Sequence, residues 1–203
     1  MGSQDYQVGA IADDGFWITD FEEFSYAEGV PIGEFEGSSI NGFCRFPSVV
    51  IPAGATITAA TIQLYYDSVQ EGDDPRAIIY AVDEANPSAI SSYGDGDGRA
   101  KTSASVAAAL PTSGTWWTSP SLVAIIQELV DSYSYAGGAA MEFVFEGDVS
   151  YSGSVLFYDY DADSTKAPKL HIEYTEASSD PEGSLIGGKL IRGGLLLHGV
   201  LGR

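Results

Sequence analysis

Apolar and polar residues alternate with a period of two in several stretches of the chain, and this pattern constrains the fold more than any other feature of the sequence. The alternating stretches read TIQLYYDS, AMEFVFEG, SVLFYDY and KLHIEYT. β-branched and aromatic residues in this arrangement are typical of half-buried strands. Clusters rich in glycine, proline and aspartate, such as EGDDP, GDGDG and DADSTKAP, lie between the strands and predict turns. The pattern therefore predicts an all-β domain of antiparallel strands.

Two of these stretches also predict which side chains face the core. In AMEFVFEG and KLHIEYT every second residue is large and apolar, and the residues between them are mostly charged. Because successive side chains of a strand point to opposite faces of the sheet, the two sets separate. The inward set is Met141, Phe143, Phe145, Leu170, Ile172 and Tyr174. The opposite set is Glu142, Val144, Glu146, Lys169, His171 and Glu173.

One segment has the period of a helix instead. In SPSLVAIIQELVDSY the apolar side chains recur every three or four residues and form a single stripe. The stripe consists of Leu122, Ile125, Ile126, Leu129 and Val130. Ser119 followed by Pro120 is typical of a helix cap and a first helical turn. We predict one short α-helix over about 120–132, packed on the end or flank of a jelly-roll-like antiparallel β-sandwich.

The composition changes after the last predicted strand. We predict a β-sandwich domain over 1–176, a polar linker over 177–184 and an apolar glycine- and leucine-rich tail over 185–203. Ordering the tail costs more conformational entropy than burying its aliphatic side chains returns, so it cannot form a core of its own. We therefore expect the tail to bind partner chains or other copies of this chain, with a trimer favoured. The predicted partner-binding residues are Leu185, Ile186, Leu190, Ile191, Leu195, Leu196, Leu197, Val200 and Leu201.

The charge of the chain is as uneven as its composition. The formal net charge is −20, and from Gly183 onward the chain has three basic residues, no carboxylate and a charge of +3. Residues 1–182 therefore have 6 basic residues against 29 acidic ones, a charge of −23. A domain this acidic repels phosphate backbones and anionic lipid surfaces, so nucleic acid and membranes are not expected partners. No stretch is long and apolar enough to span a membrane as a helix.

The order of the strands and turns resembles a known family. The phrases that carry the likeness are FCRFPSVVIPAGATITAATIQLYY, TWWTSPSLVAIIQELVDS and LFYDYDADSTKAPKLHIEYT. They resemble the DNRLRE-like β-sandwich domain, which is similar to carbohydrate-binding modules and recurs in surface proteins and in structural proteins of tailed phages. The resemblance implies a jelly-roll-like sandwich with a non-enzymatic binding or scaffolding role. The tail is also similar to the ends of phage virion proteins.

Few residues are candidates for chemistry. The chain has two histidines, and neither lies in a nucleophile motif, so no catalytic residue is assigned and the protein is not expected to be an enzyme. Asp159, Asp161 and Asp163 alternate in DYDADS, and two interpretations are open: a calcium loop, or a turn held by aspartate side chains, which is favoured. Trp116 and Trp117 are either core residues or a surface on which a sugar ring stacks. No other cofactor is expected.

Two functions follow from these patterns. The first is a structural protein of a phage virion, a capsid decoration or another surface-attached protein, held by its C-terminal tail to other virion proteins. The alternative is a carbohydrate-binding module of a tail fibre or surface protein that contacts host polysaccharide. The tail and the phage resemblance favour the first function, and the adjacent tryptophans favour the second.

Overall fold

The computed structural model describes residues 1–27 and 29–177 of the chain. These residues form the antiparallel all-β domain that the alternation predicts, with two α-helices and one 3₁₀ turn, Ile11–Asp13. The strands are β1 Gly2–Gln7, β2 Asp14–Ile18, β3 Glu23–Ser25, β4 Val30–Phe35, β5 Ser38–Val49, β6 Thr56–Gly72, β7 Arg76–Ala81, β8 Val106–Ala109, β9 Trp116–Thr118, β10 Ala139–Gly147, β11 Gly153–Phe157 and β12 Lys169–Thr175. The helices are α1 Tyr93–Gly98 and α2 Val123–Ser132.

The strands form one curled sheet whose two halves face each other as a jelly-roll-like sandwich. Its main path runs β1-β12-β6-β11-β4-β5-β10-β7-β8, with β9 added beside β6 and the β2–β3 pair added beside β5. The long strand β6 belongs to both halves, because its first part pairs with β12 and β9 and its last part pairs with β11. Apolar side chains of both halves, such as Ile62 and Phe143, meet in a common core.

The outcome for the two alternating stretches differs. All six residues of the inward set are buried, as predicted. On β12 the opposite set is partly exposed, so the whole prediction for this strand is confirmed. On β10 the prediction that the opposite set faces solvent is wrong, because Glu142 and Val144 are also buried. A second, smaller core lies over this outer face, where Val144 packs with Ile90 and Trp17.

The helices differ from the prediction in number and in one boundary. The stripe of α2 is buried as expected, with Ile125, Ile126 and Leu129 inside the core. The helix begins at Val123 rather than near residue 120, because the Ser119 hydroxyl accepts a hydrogen bond from the Ile62 backbone N–H (3.0 Å) instead of capping the helix.

The second helix was not predicted. The GDGDG sequence, interpreted as a turn, belongs to the short helix α1. The Ser92 hydroxyl caps α1 by accepting a hydrogen bond from the Asp95 backbone N–H. Gly96 faces the Trp17 ring, where an added Cβ would lie 3.0 Å from the nearest ring atom. Of the glycines that suggest a turn, Gly96 thus allows α1 to approach the sheet closely.

The described chain ends shortly after β12, the last strand of the predicted domain. The linker beyond Ala177 and the nine predicted partner-binding residues of the tail lie outside the described residues. Within residues 1–27 and 29–177, no helix is both long enough and apolar enough to cross a membrane.

Candidate functional site

Aromatic and basic side chains gather on the outer face of the sheet half formed by β1, β12, β6 and β9. Since Ile62 and Leu64 of β6 face the core, Gln63 and Tyr65 face outward. The register then places Trp116 of β9 opposite Tyr65 and Lys169 of β12 opposite Gln63. We call the resulting surface the Trp116 platform. Its members are Tyr65, Trp116, Tyr158, Lys166 and Lys169.

The three aromatic rings of the platform meet edge to face. Tyr65 lies in the middle, with its ring centroid 5.1 Å from that of Trp116 and 5.4 Å from that of Tyr158. Both interplanar angles are 87°. This arrangement is favourable for aromatic quadrupoles and fixes the relative orientation of the rings. The result is a half-exposed aromatic surface that is held rigidly by its own contacts.

Two ammonium groups stand over these rings. Lys169 Nζ lies 4.0 Å from the centroid of Trp116, and Lys166 Nζ lies 4.0 Å from that of Tyr158. Cation–π attraction favours both positions. Lys166 also pairs with Asp163 (Nζ–Oδ2 3.2 Å), whereas Lys169 has no carboxylate within ion-pair distance among the described residues. Residues 1–182 have only 6 basic side chains, and two of them lie on the platform, with the charge of Lys166 offset by Asp163.

The structure separates the two adjacent tryptophans. Trp117 lies opposite Leu64, faces inward and packs at the edge of the core, with its ring 6.0 Å from that of Phe157. Trp116 faces outward on the platform. Of the two predicted sugar-contacting residues, therefore, only Trp116 is positioned for a ligand, and Trp117 has the core role that the sequence left as the alternative.

A groove of about 340 Å³, lined by both apolar surface and polar side chains, borders the platform at Lys169. Its polar lining side chains are Asp5, Gln7, Gln63, Lys169 and His171. Nδ1 of His171 lies 2.7 Å from an Asp5 carboxylate oxygen, and this hydrogen bond raises the pKa of His171. The groove thus combines apolar surface with a few hydrogen-bond donors and acceptors beside an aromatic surface, which is the general composition of a ligand-binding groove.

The predicted calcium residues lie in the loop between β11 and β12, beside the platform. Asp159 is fully buried, and its two carboxylate oxygens accept hydrogen bonds from the backbone N–H groups of Gly29 (2.8 Å) and Ala162 (2.7 Å). Asp163 accepts hydrogen bonds from the backbone and hydroxyl of Thr165, which lower its pKa. Asp161 is exposed.

These contacts support the turn interpretation of the loop rather than a calcium site. Within residues 1–27 and 29–177, no group of three or more His, Cys, Asp or Glu side chains is arranged to hold a metal ion. Gln7 also holds the loop in place, since its side-chain amide donates hydrogen bonds to the carbonyl oxygens of Ser164 (3.1 Å) and Ala167 (3.2 Å). The loop is therefore held at several points, and this fixes Lys166 above Tyr158.

Two other carboxyl groups are buried away from the platform. Glu142 is fully buried and pairs with Arg99 (3.0 Å), and burial raises its pKa to about 7 although Arg99 opposes the change. Asp14 is also fully buried, and desolvation raises its pKa to about 8. One Asp14 oxygen accepts from the Tyr160 backbone N–H (2.9 Å), and the other has no hydrogen-bond partner among the described residues. Both groups belong to the interior of the domain.

Of the platform, the sequence indicated only Trp116 as a possible ligand contact. Alternation also placed Lys169 on the outer face of β12, and Tyr65 is in phase with outward Gln63. Tyr158 lies in the alternating stretch SVLFYDY, whereas Lys166 had no such signal because a loop positions it. The pairing of β9 with β6 brings Trp116 next to Tyr65. It joins segments that are distant in the chain, so the sequence of neither segment predicts it.

A scan of the chain against models of known protein families gives no match, and a search of curated proteins also gives none. The resemblance to the DNRLRE-like domain therefore stays a prediction from the sequence.

Proposed function

We propose that this chain is a structural protein of a bacteriophage virion, a capsid decoration or another surface-attached protein, joined to other virion proteins or to further copies by its C-terminal tail. The observation that carries the proposal is the contrast within the chain. Residues 1–182 carry a charge of −23, and from Gly183 onward the chain carries +3 together with nine large aliphatic residues. The acidic part is suited to solvent, and the last part is suited to a protein surface that covers apolar side chains.

The position of β12 supports this division of roles. The strand is paired on both sides, with β1 and with β6, and its last residue, Thr175, lies opposite Thr56. The Trp116 platform begins at the other end of β12, at Lys169, which is about 20 Å away along the strand. A tail that anchors the domain therefore follows directly after a strand that is paired on both sides. The platform, at the far end of that strand, can then face outward.

Removal of the tail tests the proposal. Particles are assembled with the full-length chain or with a chain that ends at Glu182, and both are quantified on purified particles. We expect the truncated chain to fold but to be absent from particles. A matched variant with Leu195, Leu196 and Leu197 changed to serine keeps the length and charge of the tail and should also be lost. Retention of the truncated chain at normal copy number would refute the anchoring role.

A second function, binding of an acidic polysaccharide, is favoured by the Trp116 platform. Sugar rings have apolar C–H faces that stack on aromatic rings and hydroxyl groups that hydrogen-bond to side chains such as Gln63. The ammonium groups of Lys166 and Lys169 add a preference for carboxylate-bearing sugars. Lys169 carries most of this preference, because Lys166 is paired with Asp163, whereas the charges more than about 8 Å away are largely screened at physiological salt.

Binding to a panel of neutral and acidic polysaccharides tests this second function. Trp116→Ala should weaken binding of an acidic polysaccharide at least about tenfold, which corresponds to about 1.4 kcal/mol. Tyr151→Ala, which removes an exposed aromatic ring elsewhere, is the control and should leave binding unchanged. Absence of binding to any member of the panel, or equal effects of the two substitutions, would exclude the platform as a saccharide site.

A further inference from the structure

A second groove, mainly apolar, lies on the other half of the sheet. Its volume is about 280 Å³, and its apolar lining consists of Phe16, Ile18, Pro31, Phe35 and Ile40. We call it the Phe35 groove. A cavity of about 150 Å³ lined by aliphatic residues already holds a benzene molecule, so the Phe35 groove has room for more than one aliphatic side chain. Next to it, exposed Phe21 packs on Phe35 with ring centroids 6.2 Å apart, which extends the apolar surface.

The rim of the Phe35 groove is acidic. Glu23 and Glu71 line the groove, and none of its lining residues is basic. Both glutamates are exposed, so their charges are available to a partner. A ligand that matches this groove has aliphatic side chains with cations between them and no carboxylate. Such a match combines apolar burial with charge complementarity, which favours one partner over others.

The chain itself contains a segment of this kind. Residues 185–192 read LIGGKLIR, with four aliphatic residues, two cations and no acid. We propose that this segment of one copy docks in the Phe35 groove of a second copy, with Lys189 and Arg192 facing the glutamates of the rim. The inference rests on the proposed function in one respect, namely that the tail joins copies of this chain.

The direction of β12 favours a second copy over the same copy. Its register with β6 runs from Lys169 opposite Gln63 to Thr175 opposite Thr56, so the chain leaves β12 heading away from the end of β6 that carries Glu71. Between Ala177 and Leu185 there are only eight residue steps, which span at most about 28 Å. To enter its own groove the tail would have to reverse direction within these steps, whereas the groove of a neighbouring copy requires no reversal.

The proposed contact has a definite symmetry. The tail of one copy meets the groove of the next, so the two sides of the interface are different surfaces. Interfaces of this heterologous type close into rings or continue as filaments. A closed ring of any number of copies satisfies every tail and every groove, and the trimer favoured by the sequence is one such ring.

A mixing experiment tests the proposal. The first variant is the full-length chain with Phe35→Ser, which keeps its tail but has a damaged groove. The second is the chain that ends at Glu182, which keeps its groove but has no tail. Light scattering should show that the wild type is oligomeric, that each variant alone is monomeric, and that the mixture contains a one-to-one complex. Full-length Val149→Ser, a change at an exposed apolar residue elsewhere, should associate like the wild type.

A charge exchange gives an independent test that does not alter apolar packing. Glu23→Lys with Glu71→Lys should weaken association at least about tenfold, and so should Lys189→Glu with Arg192→Glu. A chain that carries all four changes should regain association, whereas Asp97→Lys, at an exposed site elsewhere, should have little effect. The proposal is overturned if the wild type is monomeric, if the mixture forms no complex, or if the fourfold variant is no better than the double variants.

The outcome is separate from that of the virion proposal. If Phe35→Ser abolishes self-association but the variant still enters particles, the tail anchors the domain to another virion protein and occupies the Phe35 groove only between copies. If Phe35→Ser leaves self-association unchanged while truncation at Glu182 removes the chain from particles, the groove proposal fails and the virion proposal stands.

Discussion

Strands β10 and β12 have the same kind of sequence but different surroundings. Both alternate large apolar residues with mostly charged ones, and both bury the apolar set in the main core. The outer face of β12 is open and borders the platform and its groove, whereas that of β10 is covered by the segment around α1. A charged residue on an alternating strand is therefore available for binding in one place and part of the interior in the other. Substitutions on the two strands should separate these roles.

The largest effect is expected at the buried ion pair of β10. Arg99→Met leaves Glu142 buried without its cation, which should lower the free energy of unfolding by about 3–5 kcal/mol in urea denaturation. Adding Glu142→Met should recover only the part that comes from the unpaired carboxyl, because the contacts of Arg99 with Asp95 and with the Ser88 carbonyl stay lost. A loss below about 1 kcal/mol for Arg99→Met would mean that the outer face of β10 is not closed as described.

The second effect is a dependence of stability on pH through Asp14. Its folded pKa is raised from 3.8 to about 8, so between these values the native state binds more protons than the unfolded state. The stabilising protonated form is fully present at low pH and is lost as the pH rises through this window. The free energy of unfolding should fall by at most about 1.4 kcal/mol per pH unit from this group.

The contribution of Asp14 is measured by comparison with Asp14→Asn, which stays neutral at all pH values. The difference in unfolding free energy between wild type and variant should change steadily between pH 4 and 8. The raised pKa of Glu142 acts in the same direction in both proteins and cancels in the difference. A difference that is constant with pH would show that Asp14 is charged in the folded protein.

A smaller effect is expected at Asp159 in the loop beside the platform. Asp159→Ala removes the acceptor of two backbone N–H groups, which should cost about 1–3 kcal/mol and release Lys166 from its position. Calcium and EDTA should leave the melting temperature of the wild type unchanged, because these oxygens are already hydrogen-bonded. An increase of several degrees in the melting temperature on addition of millimolar calcium would show that the loop binds calcium.

The smallest effect on stability is expected on the outer face of β12. Lys169→Ser removes one exposed cation–π contact, which should lower the free energy of unfolding by about 0.5–1 kcal/mol. The same substitution should weaken acidic polysaccharide binding while leaving any binding of neutral polysaccharide intact. Thr175→Ser, on the same strand away from the platform, is the control. A stability loss comparable to that of Arg99→Met would show that the outer face of β12 is as important for folding as that of β10.

Local patterns predicted what depends on local physics. Alternation predicted β6, β10, β11 and β12 and the inward set, because the pleat of a strand fixes where successive side chains point. The stripe of α2 predicted its buried face for the same reason. The start of α2 was not predictable, because the Ser119 hydroxyl is taken by a backbone N–H of β6, fifty-seven residues away in the chain. Burial of Glu142 likewise depends on a distant segment, the one around α1.

The candidate site was less predictable than the fold. Trp116 and Trp117 are equivalent in sequence, and only the register of β9 against β6 decides that one faces outward and the other inward. The aspartates of DYDADS have the spacing of a cation loop, but backbone N–H groups satisfy the buried one. Alternation placed Lys169 on the outer face of β12, but nothing in the sequence indicated that its ammonium group would lie over Trp116 or that Lys166 would join it.

The pairing of β12 on both sides has a mechanical consequence. A force applied through the tail along this strand loads its hydrogen bonds to β1 and β6 in shear, so that many bonds share the load and must break together. Peeling, in which bonds break one after another, needs a pull across the strand instead. A domain tethered in this way withstands tension best along the direction in which its own last strand runs.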